Sequence, residues 1–256
     1  MLCAIRKSDN GKVFARRSTK LEAPFFCPDC EREVGLRKGN IKAHHFAHKP
    51  PSTCEHGKGE SDAHRKCKEE IYELLLKSPN ITDVDIEKNF GTVISDVFCR
   101  VNNVPVAIEI QRSSLTVNNI IERTVKYKKL GIHVLWLALF NEKLEGDKYK
   151  PKAWEKWCHA TYYGRVYYWL EGLTAVPVHF AEYKTYVESS TWYGTGGEER
   201  SAGGYYKTLK SVKTPKLGAR VQLDTEFEPR RKSSWSGGTI YVPDCQIYID
   251  KQERWW

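Results

Sequence analysis

Asp96 and Glu109 are separated by two apolar-rich stretches, VFCRV and VPVAI, that meet at Asn102-Asn103. Taken as a two-residue turn, the asparagine pair sets Val101 against Val104, Arg100 against Pro105, Cys99 against Val106 and, three rungs on, Asp96 against Glu109. Side chains directly opposed across antiparallel strands lie about 5 Å apart, and like charges there repel. Two such carboxylates need a shared proton or a cation. A hard divalent ion, Mg²⁺ or Mn²⁺, fits oxygen ligands at that separation and can activate a bound water. Gln111 falls on the same face as Glu109, while Ile108 and Ile110 point the other way. The pattern alone also allows ordinary polar positions on a half-exposed sheet. If the two acids do repel, Asp96→Asn is expected to stabilise the metal-free chain.

A second concentration of ligand-type side chains lies between residues 25 and 64. Cys27-Pro28-Asp29-Cys30 has the gap that lets two thiolates reach one ion, and His45 and His48 offer two imidazoles after a turn around Lys38-Gly39-Asn40. The expected site is a closed, structural Zn²⁺ held by Cys27, Cys30, His45 and His48. Residues three apart on a straight strand face opposite sides, so Cys54 replaces one histidine unless the strand bends. His44 and His56 are expected at the surface.

The elements that must position these residues can be read from periodicity. His64, Cys67, Ile71, Leu74 and Leu75 mark one face of a helix from Glu60 to Lys77, with Glu60 and His64 turned inward. Three strands follow, over residues 83–90, 92–101 and 104–111, then a helix over 117–130 that stops at Gly131. His133 to Leu139 is an almost unbroken apolar run, the pattern of a strand buried on both faces. The last strand, helix and strand form a βαβ unit, so residues 104–111 and 133–139 are expected to be parallel. Asp9-Asn10-Gly11 turns a hairpin near the start, Glu171-Gly172 turns another, and residues 239–249 read as a final strand.

Cysteine usage points to a reducing compartment in which Cys67, Cys99 and Cys158 are core residues. The longest apolar run, Val134 to Phe140, is too short to span a bilayer, and the first residues lack a signal-peptide pattern, so the expected location is the cytoplasm, with no membrane partner. A net charge of +9 favours a polyanion. Lys207, Lys210, Lys213, Lys216 and Arg220 follow Tyr205-Tyr206 without an intervening acid, a candidate strip for a nucleic-acid backbone on an otherwise solvated stretch.

The spacing Asp96-x12-Glu109-x-Gln111 resembles the PD-(D/E)XK nuclease motif. Together with FFCPDC, HHFAH, GESDAHRKCKEEIYELL, AIEIQRSSL and ERTVKYKKLGIHVLWL, it resembles the competence protein CoiA-like nucleases over roughly residues 20–140. The resemblance implies an α/β fold with a restriction-endonuclease-like (PD-(D/E)XK) core, a mixed sheet flanked by helices. It also implies Asp96, Glu109 and Glu60 as ligands of Mg²⁺ or Mn²⁺, Gln111 in place of the usual lysine, and His64 beside Glu60. Gln111 can orient a water but offers no positive charge to a developing phosphorane.

The expected organisation is an N-terminal β segment binding zinc (1–57), the nuclease core (58–146) and a β-rich C-terminal extension (147–256) with a flexible Gly/Lys-rich stretch over about 194–238. Two functions are carried forward. One is a metal-dependent endonuclease hydrolysing DNA. The other is a nucleic-acid-binding protein that assists recombination or competence and cleaves weakly or not at all. Homodimerisation and other protein partners are left open.

Overall fold

The computed structural model describes residues 1–54, 56, 59–111 and 115–256; the expected 57/58 boundary and the RSS of the AIEIQRSSL stretch lie outside them. The amino-terminal strands are β1 (Cys3–Arg6), β2 (Lys12–Phe14), β3 (Phe25–Phe26), β4 (Glu33–Arg37) and β5 (His45–His48). Then come α1 (Asp62–Leu75), β6 (Ile81–Asn89), β7 (Ile94–Val101), β8 (Val104–Ile110), α2 (Val117–Lys129) and β9 (His133–Leu139). The chain continues with α3 (Ala153–Thr161), β10 (Val166–Glu171), β11 (Thr174–Val187), β12 (Ser190–Tyr193), β13 (Glu199–Ala202) and β14 (Tyr205–Leu217). It closes with β15 (Val221–Gln222), β16 (Phe227–Lys232), β17 (Trp235–Gly237), β18 (Ile240–Val242) and β19 (Cys245–Asp250).

The main sheet has the order β14-β11-β10-β9-β8-β7-β6, with β19 beside the start of β9 and β16 beside β19. It is mixed. β8 and β9 pair in parallel across α2, β9 and β10 pair in parallel, and the β6-β7-β8 side is antiparallel. Its centre is a strand of dense apolar sequence, and Val134, Leu135 and Leu137 are fully buried there. The sheet runs on past residue 146: Trp157, Tyr167, Val178 and Ile247 belong to the same buried cluster as Ile71, Val97 and Leu135.

Two helices flank the site. The Ser61 hydroxyl accepts from His64 N and caps α1, which buries His64, Cys67, Lys68, Ile71 and Leu75. Thr116 caps α2 in the same way through Asn119 N, and the helix ends where Gly131 takes φ +70°. Among the described residues no helix is long and apolar enough to cross a membrane.

The amino-terminal strands form a separate antiparallel sheet, β2-β1-β3-β4-β5. It has a small core of its own, in which the Phe25 and Phe46 rings lie 5.0 Å apart over Met1, Ala4, Val34 and Leu36. Glu87 joins this sheet to the main one. A φ of +51° swings its side chain inward, and its buried carboxylate accepts from Leu2 N at 2.8 Å and Cys3 N at 2.9 Å.

Two readings of the carboxyl-terminal part need correction. Residues 239–249 form two strands, because Pro243 has no N–H for a ladder and splits the run into β18 and β19. The stretch 194–238, expected to be flexible, carries β13 to β17. β14 pairs with β11 from Leu217 to Tyr205, a long-range register that no local apolar pattern announces. Lys213 and Lys216 stand opposite Glu182 and His179 in unbroken register, so they point to opposite faces and the lysine strip is not one-sided.

The turn at Asn102 (φ 47°) and Asn103 (φ 69°) sets the β7–β8 register, Val97 with Ile108 through Val101 with Val104. Both residues are left-handed, as a two-residue hairpin turn of this hand requires. Asn103→Gly should therefore preserve or raise the melting temperature, whereas Asn103→Val should lower stability by roughly 1–2 kcal/mol, the cost of the left-handed region for a branched side chain. Thermal melts of the two variants check this.

Candidate functional site

Beyond Val97 and Ile108 the ladder between β7 and β8 gives way to a side chain. Ile110 N donates to Asp96 Oδ2 at 2.9 Å, so the Asp96 carboxylate takes a bond that strand backbone would otherwise make. Asp96 then faces α1. His64 Nε2 lies 3.4 Å from Asp96 Oδ2, and His64 Nδ1 lies 3.6 Å from Glu60 Oε1. Glu60, His64 and Asp96 offer ligand atoms all within 4.8 Å of one another, an arrangement able to hold a metal ion. They line a cleft of about 290 Å³ together with Glu109 and Arg123.

Glu109 is buried and turned to α2. Arg123 Nη2 lies 2.5 Å from its Oε1, and the Tyr127 hydroxyl donates to the same oxygen. Burial and the charge of Asp96 nevertheless raise the Glu109 carboxyl above its ordinary value. Gln111 is buried one strand repeat on and, with His64, lines a neighbouring cleft rather than the one holding the acids.

At the centre stands a residue that periodicity passed over. The Lys68 ammonium is buried and ion-paired with Glu60, with Glu87 at 2.6 Å and with Asp96 at 3.5 Å. Burial would lower its pKa, but Glu87, Glu60 and Asp96 together raise it well above the usual lysine range. Burial would likewise raise Asp96; the charges of His64 and Lys68 outweigh it and hold that carboxyl below the usual range. Glu87 is held down against burial first by Lys68. The expected repulsion between Asp96 and Glu109 is therefore compensated, since each acid has its own cation.

No role falls to Lys68, Glu87, Arg123 or Tyr127 from the sequence, although Lys68 lies within GESDAHRKCKEEIYELL and Arg123 and Tyr127 within ERTVKYKKLGIHVLWL. Lys68 did leave a signal: it lies four residues after His64 and three before Ile71, on the inward face. Arg123 and Tyr127 share a helix face at the same spacing of four, with Tyr127 seven residues after buried Ile120. Glu87 left none, because its positive φ breaks the alternation of β6.

In the amino-terminal sheet the cluster able to hold a metal is Cys27, Cys30, His48 and Cys54. Cys30 Sγ lies 3.2 Å from His48 Nε2, and Cys27 Sγ lies 4.0 Å from Cys54 Sγ. His45 is not part of it. β5 is straight from His45 to His48, so the two rings leave opposite faces, and His45 Nδ1 sits 2.8 Å from Ala43 O. Cys54 takes the fourth position. His56, expected at the surface, is partly buried, 3.7 Å from Glu87 Oε2.

Comparison with known proteins gives one consistent family. The model for the N-terminal domain of competence protein CoiA matches residues 11–57, and the model for its nuclease-like domain matches residues 60–169; together they take in more than half of the chain. The Competence protein CoiA of Bacillus subtilis (strain 168) is 31% identical over 127 residues, 48% of this chain and 34% of that relative, so the chain spans about a third of its length. No solved structure matches.

Metal analysis of the purified protein should find bound metal that is kept in His45→Ala and lost in Cys54→Ser. Equal loss in both variants would contradict the assignment. At the acid cluster, Asp96→Asn should destabilise the metal-free protein by about 1–3 kcal/mol, because Lys68 and His64 lose a charged partner. Asp96 and Glu87, both depressed, add stability that is complete above the ordinary carboxylate range and lost as the pH falls through that range and below it. Melts of parent and variant in chelator across acid pH measure both effects: the gap between the two proteins should narrow as the pH falls.

Proposed function

The chain belongs to the competence protein CoiA family, and from that premise and the geometry of the acid cluster we propose a metal-dependent nuclease that hydrolyses DNA phosphodiester bonds on a PD-(D/E)XK core. One observation carries the reading: Glu60 and His64 at the start of α1 and Asp96 on β7 converge within 4.8 Å, in a cleft shared with Glu109. Carboxylate oxygens with one imidazole suit Mg²⁺ or Mn²⁺. His64 Nδ1 is buried there without a hydrogen bond, and Asp96 is held ionised. A bound divalent ion would supply an activated water and neutralise charge on the phosphate.

The chain's own residues divide the remaining work. Glu60, His64 and Asp96 would hold the ion. Glu109 joins them when Arg123 exchanges that carboxylate for a substrate phosphate, two of whose oxygens the planar guanidinium fork matches. Lys68 keeps three acids together in one place before any metal arrives.

The Cys27, Cys30, His48 and Cys54 cluster takes a structural Zn²⁺. Four protein ligands close a tetrahedron, and Zn–S bonds of about 2.3 Å set two sulfurs about 3.8 Å apart, close to the 4.0 Å between Cys27 and Cys54. Asp29 N donates to Cys27 Sγ at 3.4 Å, the kind of outer contact that supports a thiolate ligand. The partner is DNA, held through phosphates by basic surfaces that include Lys207, Lys210 and Arg220, and the unpaired cysteines suit the cytoplasm. A second reading, a nucleic-acid-binding protein assisting recombination or competence with little cleavage, is favoured by the uncharged Gln111 and by Lys68 standing among the acids.

Cleavage of plasmid and single-stranded DNA by the purified chain decides between them. Cutting that requires Mg²⁺ or Mn²⁺ and is abolished in Asp96→Ala and in Glu109→Ala supports the nuclease. Cutting in chelator, or cutting retained in both variants, overturns it. Salt-sensitive binding without cutting leaves the second reading.

A further inference from the structure

His64 separates two clefts. One holds the acid cluster; the other, of about 240 Å³, is lined by Gln111, Tyr149, Lys152, Trp154 and Tyr168. The second cleft lies beyond the carboxyl ends of β8 and β9, which run parallel to each other. Open α/β sheets take their ligands there. Its lining is aromatic with one basic residue, Lys152, and one acid, Glu155, which fixes two of the rings. Glu155, 1% exposed, accepts from the Tyr149 and Tyr168 hydroxyls, each at 2.7 Å, and from Lys152 N at 2.6 Å.

Trp154 is different. It is 8% exposed, yet its indole Nε1 finds no acceptor among the described residues. The other buried tryptophans use theirs: Trp136 donates to Thr124 Oγ1, Trp157 to Tyr241 O and Trp169 to Gly172 O. A buried N–H without a partner is uncommon and calls for an acceptor brought from outside.

We propose that this cleft receives one unstacked nucleotide of a single DNA strand whose neighbouring phosphate lies at the acid cluster, so that the substrate is single-stranded or locally unpaired. The placement of the phosphate rests on the nuclease reading above. Every base has a face that stacks on tyrosine or tryptophan and an edge with acceptors for an indole N–H, whatever the sequence. A base inside a duplex presents neither to a cleft of this kind; it must first leave the stack.

The test is an anisotropy titration in chelator, where hydrolysis is held off, with a short fluorescein-labelled oligothymidylate and a duplex of mixed sequence. Parent, Trp154→Phe, which keeps a ring but loses the N–H, and Trp154→Leu are compared. The parent should bind the single strand more tightly than the duplex. Trp154→Leu should lose about tenfold on the single strand, the effect of one stacked base, and nothing on the duplex, with Trp154→Phe between them. Should the leucine variant not fold, the phenylalanine variant and quenching of Trp154 emission, taken as parent minus Trp154→Phe, decide in its place. Equal losses on both ligands, no loss, or no quenching overturns the subsite. A parent that binds both ligands equally removes the subsite and leaves the nuclease reading standing; a parent that binds neither removes both.

Discussion

The buried ammonium of Lys68 is the interaction on which the rest of the molecule turns. A cation in a sheet–helix interface is costly to strip of water, and it persists there only with charge and hydrogen-bonding partners of its own. Lys68 has three, and they come from three places: Glu60 just before α1, Asp96 on β7 and Glu87 on β6. The ion pairs therefore fix the distance and rotation of α1 against two strands at once. Packing of Ile71 and Leu75 against the sheet supplies the apolar part of that contact, and the ammonium determines which acids stand together.

The same arrangement explains how four carboxylates share one interface. Each carboxylate has a fixed counter-charge: Lys68 for Glu60, Glu87 and Asp96, Arg123 for Glu109. Two cations come from helices, on side chains long enough to be withdrawn, while the acids sit on strands or at a helix start. A pocket of this construction is preorganised for positive charge and can exchange one cation for another with little movement of the backbone.

Much of this was legible in the sequence, and the reasons for the failures are specific. The β7–β8 register followed from Asn102-Asn103 because apolar residues flank that turn on both sides and only one pairing buries them. The βαβ unit followed from the unbroken apolar run of β9. Lys68 was missed because a charged residue was not counted toward an inward face, although its spacing placed it there. Between His45 and His48 strand parity was the deciding fact, and it removed His45. The pairing of β14 with β11 could not be read: β14 is largely exposed, and only hydrogen bonds between segments some thirty residues apart define it.

Glu87 also orders events in time. Its carboxylate holds the backbone of Leu2 across 85 positions of sequence, so the amino-terminal sheet leaves the ribosome well before the residue that docks it has been made. Contacts of such separation form late, after the chain between them has been organised. The small sheet must hold its own shape through that interval with Phe25, Phe46 and the cysteine–histidine cluster, until β6 arrives to clasp it. The sheet with its own small core thus precedes its docking contact along the chain, and it meets the main sheet through a side chain and not through a shared ladder.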